Sequence, residues 1–220
     1  MPSALLAGAT GLVGGHLLRL LLEHPRYERV TALVRRGLPV SHRKLLQREV
    51  SFDQLAELGS VPRADDVFCC LGTTMSKAGS REAFRRVDYT YVVELARLAS
   101  EQHARQFLLV SALGADPASR VFYQRVKGEA EEAVRHLRFS AVHIFRPSLL
   151  VGRRNEFRPA ERVGIAVARL ISPVLVGSLR RYRPIDAATV ARAMIRVALD
   201  GSRGVHVFGS DRIQELGVES

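Results

Sequence analysis

The segment Gly8-Ala9-Thr10-Gly11-Leu12-Val13-Gly14 constrains this chain more than any other. It follows a short apolar run at residues 3–7 and opens a leucine-rich stretch at 12–23, so its glycines sit between a strand and a helix. Glycine permits a tight turn and lets backbone N–H groups come close to a ligand. The helix that follows presents its free N–H groups, from Leu12 and Val13 onward, in a field that favours negative charge. Thr10 adds a hydroxyl, and Gly14 lets the helix pack closely on the strand. A turn of this build suits a pyrophosphate. Its spacing is GxxGxxG, not the GxGxxG of other dinucleotide loops, but the physics is the same.

Downstream, apolar strands alternate with helices. Strands are expected at 29–34, 47–50, 66–71, 106–110 and 141–145, and helices at 53–58, 80–103 and 122–137. Past Pro147 the pattern loosens into a polar loop at 152–159, with helices at 160–170 and 187–199 and a last strand at 204–208. Asp186 is placed to cap the second of these helices. Alternation of this kind builds an α/β Rossmann fold, a mainly parallel doubly wound sheet with helices on both faces. The 220 residues read as one dinucleotide-binding domain, in which 147–220 contributes a small substrate-side extension.

In such a sheet, ligands lie beyond the C-terminal strand ends. The strand at 29–34 ends in Arg35-Arg36, where an acidic residue would take the ribose 2′-hydroxyl of NAD. A guanidinium pair argues instead for the 2′-phosphate of NADP. The strand at 66–71 ends in Leu71-Gly72-Thr73-Thr74, whose glycine permits close approach and whose threonines offer hydroxyls. Ser111 ends the strand at 106–110. Tyr123 and Lys127 are four residues apart on a helix and share a face. An ammonium beside a phenol favours the phenolate, which suits carbonyl–alcohol interconversion.

These segments, with Phe68-Cys69-Cys70, Lys77-Ala78-Gly79, Gly114-Ala115-Asp116, Val126-Lys127-Gly128-Glu129 and Phe145-Arg146-Pro147, resemble the short-chain dehydrogenases/reductases of atypical or extended type. Within these, they are most similar to the family of the human Tat-interacting oxidoreductase-like protein. The resemblance runs through most of the chain. It implies a nucleotide loop at Gly8, Gly11 and Gly14, a preference for NADP over NAD through Arg35, and a catalytic set of Ser111, Tyr123 and Lys127. It also implies that Arg146-Pro147-Ser148 runs beside the nicotinamide. Two departures stand out. Ser51-Phe52 replaces an acidic residue near the adenine, and Ala112 replaces a second serine.

The implied activity is hydride transfer between nicotinamide and a small carbonyl or alcohol. In this reading Tyr123 protonates the oxygen, Lys127 supports it and holds the ribose, and Ser111 stabilises the developing charge. The alternatives are a dinucleotide-binding regulatory protein and an isomerase or epimerase of nucleotide-sugar type.

Composition narrows the rest. Hydrophobic residues at 47% and charged residues at 25% describe a globular chain. The net charge of +11 is scattered, with no basic helix of nucleic-acid-binding type, so no nucleic acid partner is expected. Cys69 and Cys70, the only cysteines, are adjacent in an apolar run and read as small buried hydrophobes. With no disulfide framework, no secretory leader and no membrane-length apolar stretch, a cytoplasmic monomer or homodimer is expected. His16, His24, His103 and His136 read as surface or boundary residues, and no metal site is expected.

Overall fold

The structure, a computed structural model, describes residues 1–152 and 177–218. Seven parallel strands form its central sheet: β1 (Ser3–Ala7), β2 (Arg29–Val34), β3 (Leu45–Glu49), β4 (Asp66–Cys69), β5 (Gln106–Val110), β6 (Ala141–Arg146) and β9 (Gly204–Gly209). Their order is β3-β2-β1-β4-β5-β6-β9, so the direction of winding reverses between β1 and β4. A separate pair, β7 (Leu150–Val151) and β8 (Ile185–Asp186), also runs parallel. The expected doubly wound Rossmann sheet is the observed one.

Residues on the central strands alternate between two cores, as the period of two requires. Leu6 and Phe68 face one side, with Leu17 and Leu21 of α1 (Leu12–Glu23). Leu5, Val67 and Cys69 face the other. That second core is closed by a run of helices: α2 (Met75–Ala78), α3 (Arg81–Arg85), a π-helical turn at Arg86–Thr90, α4 (Tyr91–Glu101) and α5 (Phe122–Arg135). On the first side α1 packs against α6 (Ala187–Asp200), and α7 (Ser210–Gly217) packs against α6 in turn.

Three differences from the sequence reading have physical causes. The edge strand β3 starts two residues earlier than expected, because its extent follows pairing with β2 (Val30 opposite Leu45) and not burial. The helix expected at 80–103 is not continuous, since the wide turn at Arg86–Thr90 divides it. Before it, α2 and α3 are started separately by side-chain caps. Thr74 Oγ1 accepts Lys77 N–H at 3.2 Å, and Ser80 Oγ accepts Ala83 N–H at 3.1 Å. The β7–β8 pair and α7 were not anticipated, being too short to carry a readable period. Asp186 does cap α6, accepting Ala188 N–H at 2.8 Å. The helix expected at 160–170 and the polar loop expected at 152–159, from residue 153 on, lie outside the described residues.

Two features give testable consequences. A Cβ on Gly128 of α5 would stand 2.2 Å from Pro117 N and 2.3 Å from Asp116 C, which are backbone atoms with nowhere to move. Gly128→Ala is expected to destabilise the fold by about 1–3 kcal/mol, read from the urea midpoint. His143, fully buried on β6, stacks on His206 with ring centroids 5.4 Å apart, and neither of its ring nitrogens has a partner. Burial, reinforced by His206, lowers its pKa from 6.5 to about 4. The unfolded chain therefore binds a proton here that the folded chain refuses. The resulting stability is fully present above pH 6.5 and is lost as pH falls toward 4. His143→Phe should flatten the fall in urea midpoint across that window relative to the unmodified protein.

Candidate active site

The site begins where backbone segments crowd together. Gly8 has φ +89°, and a Cβ there would lie 2.5 Å from Cys70 O. A Cβ on Gly14 would lie 2.1 Å from Gly8 O. Only glycine fits at either position, so β1, the end of β4 and α1 meet as bare backbone. The turn closes through Gly11 N–H to Gly8 O at 2.9 Å. The N-cap of α1 is Gly11, with no side-chain cap and no acidic residue in the first turn. Its first N–H groups remain available to an anion.

A crevice of roughly 1120 Å³ opens above this point. Thr10, Gly11, Leu12 and Val13 line its floor, and Leu71, Gly72 and Thr73 one wall. Ser111, Tyr123 and Lys127 line the far end with Pro147 and Ser148. Gly8 and Gly14 lie beneath the lining and act by letting the backbone close up. Val13 is buried, so its side chain belongs to the core. His16, read from sequence as a surface or boundary residue, borders the crevice with Arg19, whose Nη2 is 3.3 Å from His16 Nδ1.

Lys127 is buried, with its Nζ 2.8 Å from Asp88 Oδ1. Burial alone would lower the pKa of this ammonium. The carboxylate of Asp88, aided by Tyr123, outweighs that and raises it. Asp88 Oδ2 also accepts Thr73 N–H at 2.9 Å, which ties the crevice wall to the lysine. Asp88 sits in the π-helical turn, a wide turn that recurs at functional sites. Sequence reasoning missed it. Its one signal was a carboxylate within the apolar stretch Val87–Val92.

Ser111 carries the second buried charge cluster. Its Oγ donates to Glu131 Oε1 at 2.5 Å. Glu131, only 1% exposed, also accepts Arg146 Nε at 3.0 Å and Arg146 Nη2 at 2.5 Å. One sequence expectation changes as a result. The Arg146 guanidinium is turned into this cluster and is not among the crevice-lining groups. The Ser111 hydroxyl borders the crevice and is engaged with Glu131. Glu131 was also missed, although it lies one further helical turn along the face of Tyr123 and Lys127.

The residues present fit a nicotinamide dinucleotide. Bare backbone and an uncapped helix N-terminus suit the pyrophosphate, and the crevice runs from there to Tyr123 without interruption. Residues 8–159 match the family model described as NAD(P)H-binding. Protein HTATIP2 of Rattus norvegicus is 35% identical over 99% of this chain and 90% of its own length. The mitochondrial protein fmp52 of Aspergillus fumigatus is 36% identical over 99% of this chain and 95% of its own. The chain is a member of this extended short-chain dehydrogenase/reductase family. Among solved structures, WbmH of Bordetella bronchiseptica, in complex with NAD+, superposes with a TM-score of 0.70 at 18% identity, covering 99% of this chain and 79% of that one. UDP-glucose 4-epimerase of Thermotoga maritima, with UDP-glucose, gives 0.68 at 17%, covering 98% and 80%. UDP-glucuronic acid 4-epimerase of Bacillus cereus, with NAD, gives 0.66 at 14%, covering 94% and 78%. The fold is thus that of nicotinamide-dependent oxidoreductases and epimerases.

Two expectations are corrected here. A preference for NADP over NAD does not stand, since the WbmH and Bacillus cereus structures hold NAD. The geometry explains why the arginine pair misled. Arg35 and Arg36 are both exposed and outside the crevice lining. Glu49 Oε1, at the end of β3, accepts Gly37 N–H at 2.9 Å, so this corner carries an acceptor as well as cations. A cytoplasmic location does not stand either, because fmp52 is named as mitochondrial. No helix among the described residues is long and apolar enough to cross a membrane.

Asp88→Ala leaves a buried ammonium without its carboxylate. It is expected to destabilise the protein by about 3–5 kcal/mol in urea unfolding. Asp88→Asn, which keeps an acceptor for Thr73 N–H, should cost less.

Proposed function

We propose that this chain is an enzyme that uses a nicotinamide dinucleotide to transfer hydride at a carbinol or carbonyl carbon of a nucleotide-sugar-type substrate. The observation that carries the proposal is the placement of Tyr123, Lys127 and Ser111 at one end of a crevice whose other end is an open phosphate turn. When bound, the dinucleotide supplies a hydride acceptor and donor at its nicotinamide ring. Tyr123 takes the proton from the substrate hydroxyl or returns it to the oxygen. Lys127, held charged by Asp88, keeps a positive field beside Tyr123. The first-turn amides of α1, with Thr10, hold the pyrophosphate. The side from residue 147 onward receives the substrate, as part of a single domain.

Two fates of the substrate fit this chemistry. In one, a small carbonyl is reduced and released. In the other, an alcohol is oxidised and re-reduced within the same site, as epimerisation requires. The second is favoured by the substrates in the structural relatives, UDP-glucose among them.

Fluorescence titration with NADH tests the floor of the site, and product analysis after incubation with UDP-hexoses and NAD+ tests the reaction. Absence of dinucleotide binding would sink the proposal entirely. Tyr123→Phe should lower turnover by at least about 100-fold, the contribution of one general acid–base group, with NADH affinity within a few-fold of the unmodified protein. Turnover within a few-fold of the unmodified protein, or loss of NADH binding, would contradict the role given to Tyr123.

A further inference from the structure

The pair β7–β8 stands apart from the main sheet, and what it holds in place is a ring. Beyond the ends of β5 and β6 the chain is zipped sideways by backbone bonds. Ser111 N–H reaches Phe145 O at 2.7 Å, Leu113 N–H reaches Pro147 O at 2.9 Å, and Ile185 N–H reaches Leu149 O at 3.0 Å. Ser148 Oγ donates to Arg183 O and accepts Ser210 Oγ at 3.0 Å. The 3-10 turn Gly177–Tyr182, closed by Arg183 N–H to Arg180 O at 3.0 Å, is thereby fixed to the same wall that carries Ser111. Tyr182 is the residue that this tether brings to the crevice, at its rim beside Leu149 and Leu150.

Tyr182 is nevertheless 48% exposed, and Leu149 52%. A ring carried by a fixed backbone and left half-open is preorganised for a planar ligand, because little has to be ordered on binding. Arg181 stacks on the ring with Cζ 5.1 Å from its centroid, yet it does not line the crevice. The guanidinium backs the ring, and the ring is what a ligand meets. Among the described lining residues Tyr123 and Tyr182 are the two tyrosines, and Tyr123 is committed to the reacting oxygen. Cations flank the rim: Arg19 lines the same crevice, and Arg180 and Arg181 are exposed in the turn.

We propose that Tyr182 is the platform on which the base of a nucleotide-sugar substrate stacks, so that the nucleotide half is read at the rim and the sugar is left to reach Tyr123. This deepens the proposed function and rests on it. Every base has a π face, so the platform selects a nucleoside diphosphate over a free sugar or a sugar phosphate, and does not select one base. The flanking cations answer the charge of the diphosphate. A sugar phosphate brings that charge but has nothing to stack.

The test is equilibrium binding to protein loaded with NAD+, so that a nucleotide does not enter the dinucleotide turn. The probes are UDP and inorganic pyrophosphate, followed by calorimetry. Tyr182→Ala should weaken UDP binding about 5- to 100-fold, the range of one base–aromatic stack, and leave pyrophosphate and NAD+ binding within a few-fold. Tyr182→Phe, which keeps the ring, should bind UDP within a few-fold of the unmodified protein. The chain contains no tryptophan, so Tyr182→Trp places a single indole at the platform. UDP should quench its emission, and pyrophosphate should not. Undiminished UDP affinity in Tyr182→Ala, or UDP binding to Tyr182→Trp without a change in emission, overturns the inference while leaving nucleotide-sugar chemistry intact. Equal loss of UDP and pyrophosphate in Tyr182→Ala reports a disturbed turn instead of a lost stack, and overturns it too. If UDP does not bind although NAD+ does, the nucleotide-sugar reading fails together with the inference. If NAD+ does not bind, hydride transfer itself fails.

Discussion

The contact on which the structure turns is a backbone crossing with no room for a side chain. At Gly8 the end of β1 meets Cys70 as it leaves β4, and Gly14 of α1 closes on Gly8 from the other side. The sheet changes its direction of winding between β1 and β4, so the two chains part above this point and a crevice must open. Because α1 is pressed onto the turn, its N-terminal amides aim into that crevice. Phosphate recognition is thus a by-product of how three elements pack, and it needs no charged side chain.

A second rail, α5, brings the reactive groups to the same opening. Gly128 lets it lie against the backbone of Asp116 and Pro117, which sets its height over the sheet. One face then carries Tyr123, Lys127 and Glu131 at successive turns. The two charged members are buried, and each is neutralised by a different element: Lys127 by Asp88 from the π-helical turn, Glu131 by Arg146 at the end of β6. Buried ion pairs seldom add net stability, since desolvation offsets most of their attraction. Their value here is positional. Asp88 also fixes the crevice wall through Thr73 N–H, and Glu131 engages the Ser111 hydroxyl.

How far the sequence could be read follows from how local each cause is. The central strands β1, β2 and β5 are short apolar runs buried on both faces, and their bounds were legible to the residue. The glycine turn, the Tyr123–Lys127 spacing and the Asp186 cap are local patterns with local reasons. The extent of β3 depends on its pairing partner, and the break in 80–103 depends on a π turn that leaves no compositional trace. Asp88 and Glu131 acquire meaning only from groups 39 and 15 residues or more away, Lys127 and Arg146, so reading one helix at a time passes over them. The arginine pair shows the opposite failure. Arg35 and Arg36 were read from their charge and their place at a strand end, but neither shows whether the side chains reach the crevice, and both are exposed outside its lining.

The same distinction settles what the excess positive charge is for. Much of the +11 sits on exposed arginines, several of them stacked on rings, such as Arg81 over Phe122 and Arg85 over Tyr89. The crevice has its own, smaller set of positive sources: the free end of α1, Lys77, and Arg19 beside His16, while Lys127 is matched by Asp88. The carboxylates nearest to it, Asp88 and Glu131, are already matched by Lys127 and Arg146. A site with its anions internally neutralised and a helix dipole pointing in presents a net positive field to whatever enters. A pyrophosphate-bearing ligand gains from that field, and a second phosphate-linked ligand in the remaining space would gain again. An uncharged small carbonyl would draw only on Tyr123 and on the apolar wall at Leu113 and Leu150. The field therefore favours the nucleotide-sugar-type occupant proposed above over an uncharged carbonyl.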